Sequence, residues 1–271
     1  MHSIIKKKSM KKKIIALITD FGTKAGYLGA LKGVILKINP EVNIVDITHE
    51  VNPFDVCEGA WVLNSCYQFF PLGTIFLVIV DPGVGGPRKP LLIKSENCYF
   101  IGPDNGVFSF IYEKEKILEI VHITDEKYSI GKPSATFHGR DIFAPVAAYI
   151  SLGVGIDEFG QNASECFKFK IPSPQISKNE IIGEVLHIDN FGNLITNIDQ
   201  NLVDKIERMN SLEITCKEGR IGKISKSYFE GKEKEIVALV GSTGFLEISA
   251  NQGNAQKILG AKRGDKVRVD F

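Results

Sequence analysis

The stretch TIFLVIVDPGVGGPRKP, residues 74–90, decides how this chain is read. After Thr74 come six apolar residues with no polar alternation, the pattern of a strand covered on both faces of a sheet. The remainder turns on glycine and proline and frames one acid, Asp81, and one guanidinium, Arg88. Working outward, IIALIT (14–19) is a second continuous apolar run, and AGYLGALKGVILKI (25–38) carries apolar residues at helical spacing up to Asn39-Pro40. VNIVDI (42–47) is the next strand candidate. NPFDVCEGAWVLNSCYQFF (52–70) predicts a helix with Asn52 as N-cap and Pro53 at its first position. LLIKS, CYFIG and ILEIVHI predict further strands. GRDIFAPVAAYISLG (139–153) predicts a helix that Pro145 must kink or delay. Strands separated by amphipathic helices define an α/β domain with a mainly parallel sheet covered by helices.

The texture changes at FKFKIPSPQIS (167–177). Pro172 and Pro174 in a polar stretch read as a linker, and short strands with glycine turns follow to the C-terminus. That pattern predicts a smaller all-β, barrel-like domain. The expected organisation is a basic tail over 1–13, an α/β domain over 14–170, a linker over 171–180 and the barrel-like domain over 181–271.

Composition narrows the function classes. The 33 Lys plus Arg nearly balance 32 Asp plus Glu, so no nucleic-acid footprint is expected. Five cysteines stand without a C-x-x-C pair, which argues against a zinc knuckle or a disulfide framework. The apolar run behind the basic opening is too short for a signal peptide or a membrane span. A cytoplasmic protein is expected, whose working start is Met1 or Met10.

In open α/β sheets ligands sit beyond the carboxyl ends of the strands. Asp20 follows the first strand, Asp46 and His49 the second, and Asp81 and Arg88 the third. One such acid reads as a turn-former; three clusters together predict a polar crevice. DPGVGG lacks the order of a dinucleotide fingerprint and the Lys-Ser/Thr ending of a P-loop, so a nucleoside triphosphate is not the expected ligand. A plain chain reversal at 81–88 stays open on spacing alone.

His138, in TFHGRDIFAP, breaks that tie. The series ITDFGT, NPFDV.EGA, DPGVGG.R, GPDNGV, TFHGRDIFAP, DNFGNL.TN and GSTGFLEIS.NQGNA resembles, in order and spacing, the S-adenosyl-L-methionine (SAM) hydroxide adenosyltransferases, the SAM hydrolases related to fluorinase and chlorinase. The resemblance runs from about residue 14 to the C-terminus. It implies that Asp81, Arg88 and His138 hold one water at C5′ of SAM. Water or hydroxide displaces methionine in line, leaving adenosine, with no metal and no cofactor. It further implies that Asp20 accepts from the ribose diol and that Phe54 packs on the sugar. Asp189 would meet the methionine ammonium, with Phe191 and Asn193 at the adenine, Tyr228 a stacking candidate, and Ser242 and Glu247 at the amino-acid end. Halogenating relatives carry Tyr in place of Asp81 and Tyr-Ser in place of His138-Gly139, so halide is not the expected nucleophile here. Ala25 and Thr243 depart from acidic and Arg positions of relatives, which leaves the hold on the methionine carboxylate open. The family also implies a homotrimer.

Two other classes compete. A metal phosphoesterase would use Asp20, Asp81, Asp104, Asp141 and His138, in a spacing that fits no standard metal motif. A SAM or adenosine sensor would bind the same molecule and leave it intact.

Overall fold

The run IIALIT forms strand β1 (Ile14–Thr19), whose last five residues are all buried. In this computed structural model, which describes residues 12–206 and 211–271, the chain divides into two compact units that meet between Lys170 and Ile171. Most of the basic opening, Met10 included, lies outside the described residues.

In the first unit, α1 (Tyr27–Ile38), β2 (Asn43–Thr48), α2 (Val56–Cys66), β3 (Ile75–Ile79), β4 (Pro90–Ser95), β5 (Tyr99–Pro103), α3 (Ser109–Lys114), β6 (Ile117–Ile123), α4 (Ala144–Ser151) and β7 (Gly160–Asn162) follow in order. The sheet order is β2-β1-β3-β5-β4-β6-β7. Its first four strands are mutually parallel and its last three join antiparallel. Successive residues of a strand point to opposite faces, and both faces here are covered. Ile15, Leu17, Ile75, Leu77 and Ile79 pack with Leu31 and Ile35 of α1 and Ala147 of α4. Ala16, Ile18, Phe76 and Val78 pack on the other side with Leu63 of α2 and Ile111 of α3. That double burial explains the runs without polar alternation. β2 is an edge strand and is largely exposed.

Two helix starts differ from the sequence expectation. The α2 helix begins at Val56, not Pro53, and its N-cap is Asp55, whose carboxylate accepts from the Glu58 amide at 2.9 Å. Glu58 in turn accepts from the Asn52 amide while the Asp55 amide bonds the Asn52 carbonyl, so Asp55 and Glu58 together tie down the helix entry without the reciprocal bond of a capping box. Ahead of α4, residues Gly139–Phe143 form one π-helical turn. An α-helix would bond the amide of residue 145 to the Asp141 carbonyl, and Pro145 has no N–H to give. That carbonyl instead accepts from Ile130 N at 3.0 Å. Proline thus ties the turn to the loop before His138.

The second unit is one nine-stranded sheet. It comprises β8 (Gln175–Ile176), β9 (Glu180–Ile188), β10 (Leu194–Asp199), α5 (Gln200–Ile206), β11 (Glu213–Cys216), β12 (Gly219–Ile221), β13 (Ile224–Ser225), β14 (Ile236–Val240), β15 (Phe245–Ala250), α6 (Ala255–Leu259) and β16 (Lys266–Asp270). The order is β12-β11-β16-β9-β10-β15-β14-β13, with β8 paired to β9. β12 also lies against β14, so the sheet curls into a nearly closed barrel. Its strands alternate: Val267 and Val269 point into the core while Lys266 and Arg268 face out. A one-sided core produces that alternation.

Candidate active site

The strand that opened the sequence reading ends at Ile79, and the loop behind it brings Asp81 and Arg88 together. Arg88 Nε donates to Asp81 Oδ1 at 2.9 Å, and its Nη2 donates to Asp81 Oδ2. The same Nη2 lies 2.7 Å from His138 Nδ1. The Asp81 and Arg88 side chains are only 6% and 8% exposed, so the pair is shielded from water and held by a two-point fork. The guanidinium also stands over the Phe143 ring, 5.5 Å from its centroid.

The loop keeps this shape through close packing. Gly85 has φ +74°, and a Cβ there would fall on the carbonyl oxygen of Ala135. Only glycine fits, in conformation and in space. The 81–88 loop is thereby seated against the loop that delivers His138. Asp141 fixes the second loop, accepting from Ser134 N at 2.9 Å and from Arg140 Nε at 2.6 Å. Burial would raise the Asp141 carboxyl, but these donors hold it below its ordinary range. Asn105, in the GPDNGV motif, donates to Val80 O and so pins the strand end.

His138 is held below its ordinary pKa, first by burial and then by the neighbouring Arg88 charge. It is therefore neutral at pH 7. A guanidinium only donates, so Nδ1 carries the lone pair and the neutral ring bears its proton on Nε2. The letters alone leave open whether Asp81 or His138 accepts a proton, and the geometry narrows that choice. The His138 acceptor atom is already occupied by Arg88, whereas a carboxylate oxygen that accepts one bond has a second lone pair to offer.

A cavity of about 260 Å³ opens beside the trio, lined among others by Asp20, Phe54, Ile79, Asp81, Val84 and His138. Arg88 is not among the residues that line it, and it bonds both Asp81 and His138, which are. Asp20 Oδ2 accepts from the Phe54 amide at 2.9 Å, and Phe54 sits at φ +69° and is 70% exposed. A bulky residue there is strained, and strain of this kind gathers at ligand sites. Phe21, Tyr27 and Phe137 line the cavity too and meet edge to face with centroids 5.3–6.2 Å apart. Sequence reasoning missed these three rings, although Phe21 and Phe137 lie inside motifs it quoted.

The other expected residues belong to the second unit. Asp189, Phe191 and Asn193 form a self-bonded turn. Asp189 Oδ1 accepts from the amides of Phe191 and Asn193, and Oδ2 from Asn193 Nδ2, each at 2.9 Å. Phe191 is 76% exposed and is no core residue. Tyr228 donates to Glu247 Oε1 at 2.8 Å, and Ser249 donates to the same oxygen. Burial, the Glu247 bond and charge, and the Asp189 charge all push the Tyr228 hydroxyl up, which places Asp189 in the same electrostatic neighbourhood. Glu247 is buried and Ser242 is exposed. The further donors of the metal reading are engaged elsewhere, Asp104 with the Phe167 amide and Asp141 as described. Among the described residues no group of three or more His, Cys, Asp or Glu side chains is placed to hold a metal ion.

A buried carboxylate and guanidinium and a neutral imidazole thus meet beyond the carboxyl end of β3, and the carboxylate and imidazole line an aromatic cavity, which makes this the candidate enzyme site. The chain belongs to the SAM hydroxide adenosyltransferase family: its N-terminal domain matches residues 15–160 and its C-terminal domain residues 183–268. An (R)-S-adenosyl-L-methionine hydrolase of Methanocaldococcus jannaschii is 40% identical, over 95% of this chain and 96% of that one. A fluorinase of an Actinoplanes species is 30% identical over 71% of this chain and 74% of its own. A crystal structure of an uncharacterized conserved protein from Thermotoga maritima superposes with a TM-score of 0.90 at 37% identity, over 95% of this chain and all of the other.

Proposed function

We propose that this protein hydrolyses S-adenosyl-L-methionine to adenosine and L-methionine by in-line attack of water at C5′. The observation that carries the reading is the bond set around Arg88, which leaves Asp81 an accepting lone pair and His138 its Nε2–H to donate, both residues lining the cavity. A water held between them gives one proton to Asp81 and receives a hydrogen bond from His138, so its remaining lone pair is directed at carbon. As the O–C5′ bond forms, the C5′–S bond breaks and its electron pair stays on sulfur. The sulfonium becomes a neutral thioether, and the water proton passes to the Asp81 carboxylate. Neutral methionine sulfur needs no acid on the leaving side. Arg88, bonded to both partners, lowers the energy of hydroxide character and holds His138 in its Nε2–H form.

Asp20 takes the ribose diol with its Oδ1, while Oδ2 keeps Phe54 against the sugar. At about 260 Å³ the cavity falls just under the roughly 300–1,000 Å³ of sites that enclose a whole drug-sized ligand. It thus accounts for part of the substrate. The remaining contacts are assigned to the second unit: Phe191 and Asn193 for adenine, Tyr228 as a stacking ring, and Asp189, Ser242 and Glu247 for the amino-acid end. No cofactor enters this scheme, SAM itself being the substrate. A cytoplasmic homotrimer is part of the proposal. No helix among the described residues is long and apolar enough to cross a membrane.

The test is incubation of the purified protein with SAM, with and without chelator and chloride, followed by chromatography. Equal adenosine and methionine, unchanged by chelator and free of a 5′-chloro product, is the expected result. Intact SAM with measurable binding would instead establish the sensor, and loss of activity in chelator the metal enzyme.

A further inference from the structure

We infer that His49, which does not touch the cavity, is the positioning residue for its ribose end, through a bridge that grips the Asp20 loop on both sides. The inference rests on the proposed role of Asp20. His49 follows the exposed edge strand β2, yet it is only 5% exposed. Its Nδ1 lies 2.9 Å from the hydroxyl of Thr19, the fully buried residue before Asp20. Its backbone carbonyl accepts from Gly22 N at 2.8 Å, two residues after Asp20. One residue thus clamps the chain on both flanks of the carboxylate.

The direction of these bonds follows from chemistry. The Thr19 oxygen already accepts the Phe21 amide at 3.3 Å. His49 Nε2 lies 3.0 Å from Asp46 Oδ1, an oblique contact with an atom that can only accept. The proton therefore belongs on Nε2, Nδ1 accepts from the Thr19 hydroxyl, and Lys32 closes the chain on Asp46 at 2.6 Å. A relay of this kind orients a loop as an outer hydrogen bond orients a ligating side chain. Its target is Asp20, which holds the strained Phe54 backbone in turn.

The experiment reads adenosine affinity by calorimetry, independently of SAM turnover. Folding of each variant is checked by circular dichroism. His49→Phe and Thr19→Val each remove the side-chain half of the bridge, between Thr19 and His49, and are expected to weaken adenosine about tenfold, the scale of one misplaced polar contact. His49→Asn, whose Oδ1 can replace Nδ1 as acceptor, is expected to recover to within about threefold of the natural protein. In an Asp20→Asn background the His49 substitution should add less than about twofold, because both act on one contact. Folded His49→Phe and Thr19→Val proteins that bind adenosine normally, or losses that add fully to that of Asp20→Asn, would overturn the inference. A protein that binds adenosine in this His49-dependent way but leaves SAM intact sinks the hydrolase reading and keeps the clamp. Absence of adenosine binding by the natural protein overturns the clamp, while the hydrolase reading stands or falls on SAM turnover.

Discussion

The two units present their candidate site side chains in opposite ways. In the first, the trio comes from positions 81, 88 and 138, on two loops that pack closely at Gly85 and Ala135. In the second, Asp189, Phe191 and Asn193 make a turn whose bonds span four residues at most. The first arrangement depends on tertiary packing and the second on local chain chemistry. Damage to the first should therefore abolish chemistry, while damage to the second should loosen a platform.

The contrast can be tested from its strongest consequence downward. Asp81→Asn keeps the shape but removes the accepting charge, and the rate of adenosine release is expected to fall by about 10³. Adenosine affinity changing as much as the rate would point to binding, not chemistry. Gly85→Ala adds one methyl where the Ala135 carbonyl stands. It should lower the rate by about 10² and stability by roughly 1–3 kcal/mol through backbone strain, read by turnover and denaturant titration. A fully active Gly85→Ala protein would show that the trio does not need that close packing.

Acid should act next. Protonated His138 can no longer accept from Arg88, so the rate is expected to fall on the acid side with an apparent pKa below 6.5, and to be flat above it. The unfolded chain takes up that proton at a higher pH than the folded one. The His138 contribution to stability is thus present above about pH 6.5 and lost as pH falls, which thermal melts across pH would reveal. Asp189→Ala should have the smallest effect on turnover. It strands two amides and is expected to cost about 1–2 kcal/mol, with KM for SAM raised and kcat within about threefold.

How far the chain could be read from its letters also divides along packing lines. Strands β1 and β3 were legible almost to the residue, because a sheet covered on both faces leaves continuous apolar runs. The barrel was legible as alternation. The start of α2 was not, since Asn52-Pro53 satisfies a local rule while the amide of Phe54 is taken by Asp20 from another strand end. Asp55-x-x-Glu58 was the better local signal. Pro145 announced a disturbance, but the π turn depends on Ile130 finding the freed carbonyl. The trio was legible as a set through its motifs. The occupation of the His138 acceptor atom by Arg88, and the absence of Arg88 from the cavity lining, are geometric facts that no spacing encodes.

Burial of the Asp81–Arg88 pair also bears on how the protein responds to ionic strength. Mobile ions screen exposed charges within about 10 Å at 0.1 M and about 3 Å at 1 M, but they act weakly on charges they cannot surround. With both side chains below a tenth exposed, the field that orients the attacking water should persist from dilute buffer to molar salt. Any decline in turnover with added salt would then report on the capture of a cationic substrate from solution, leaving the step at carbon unchanged.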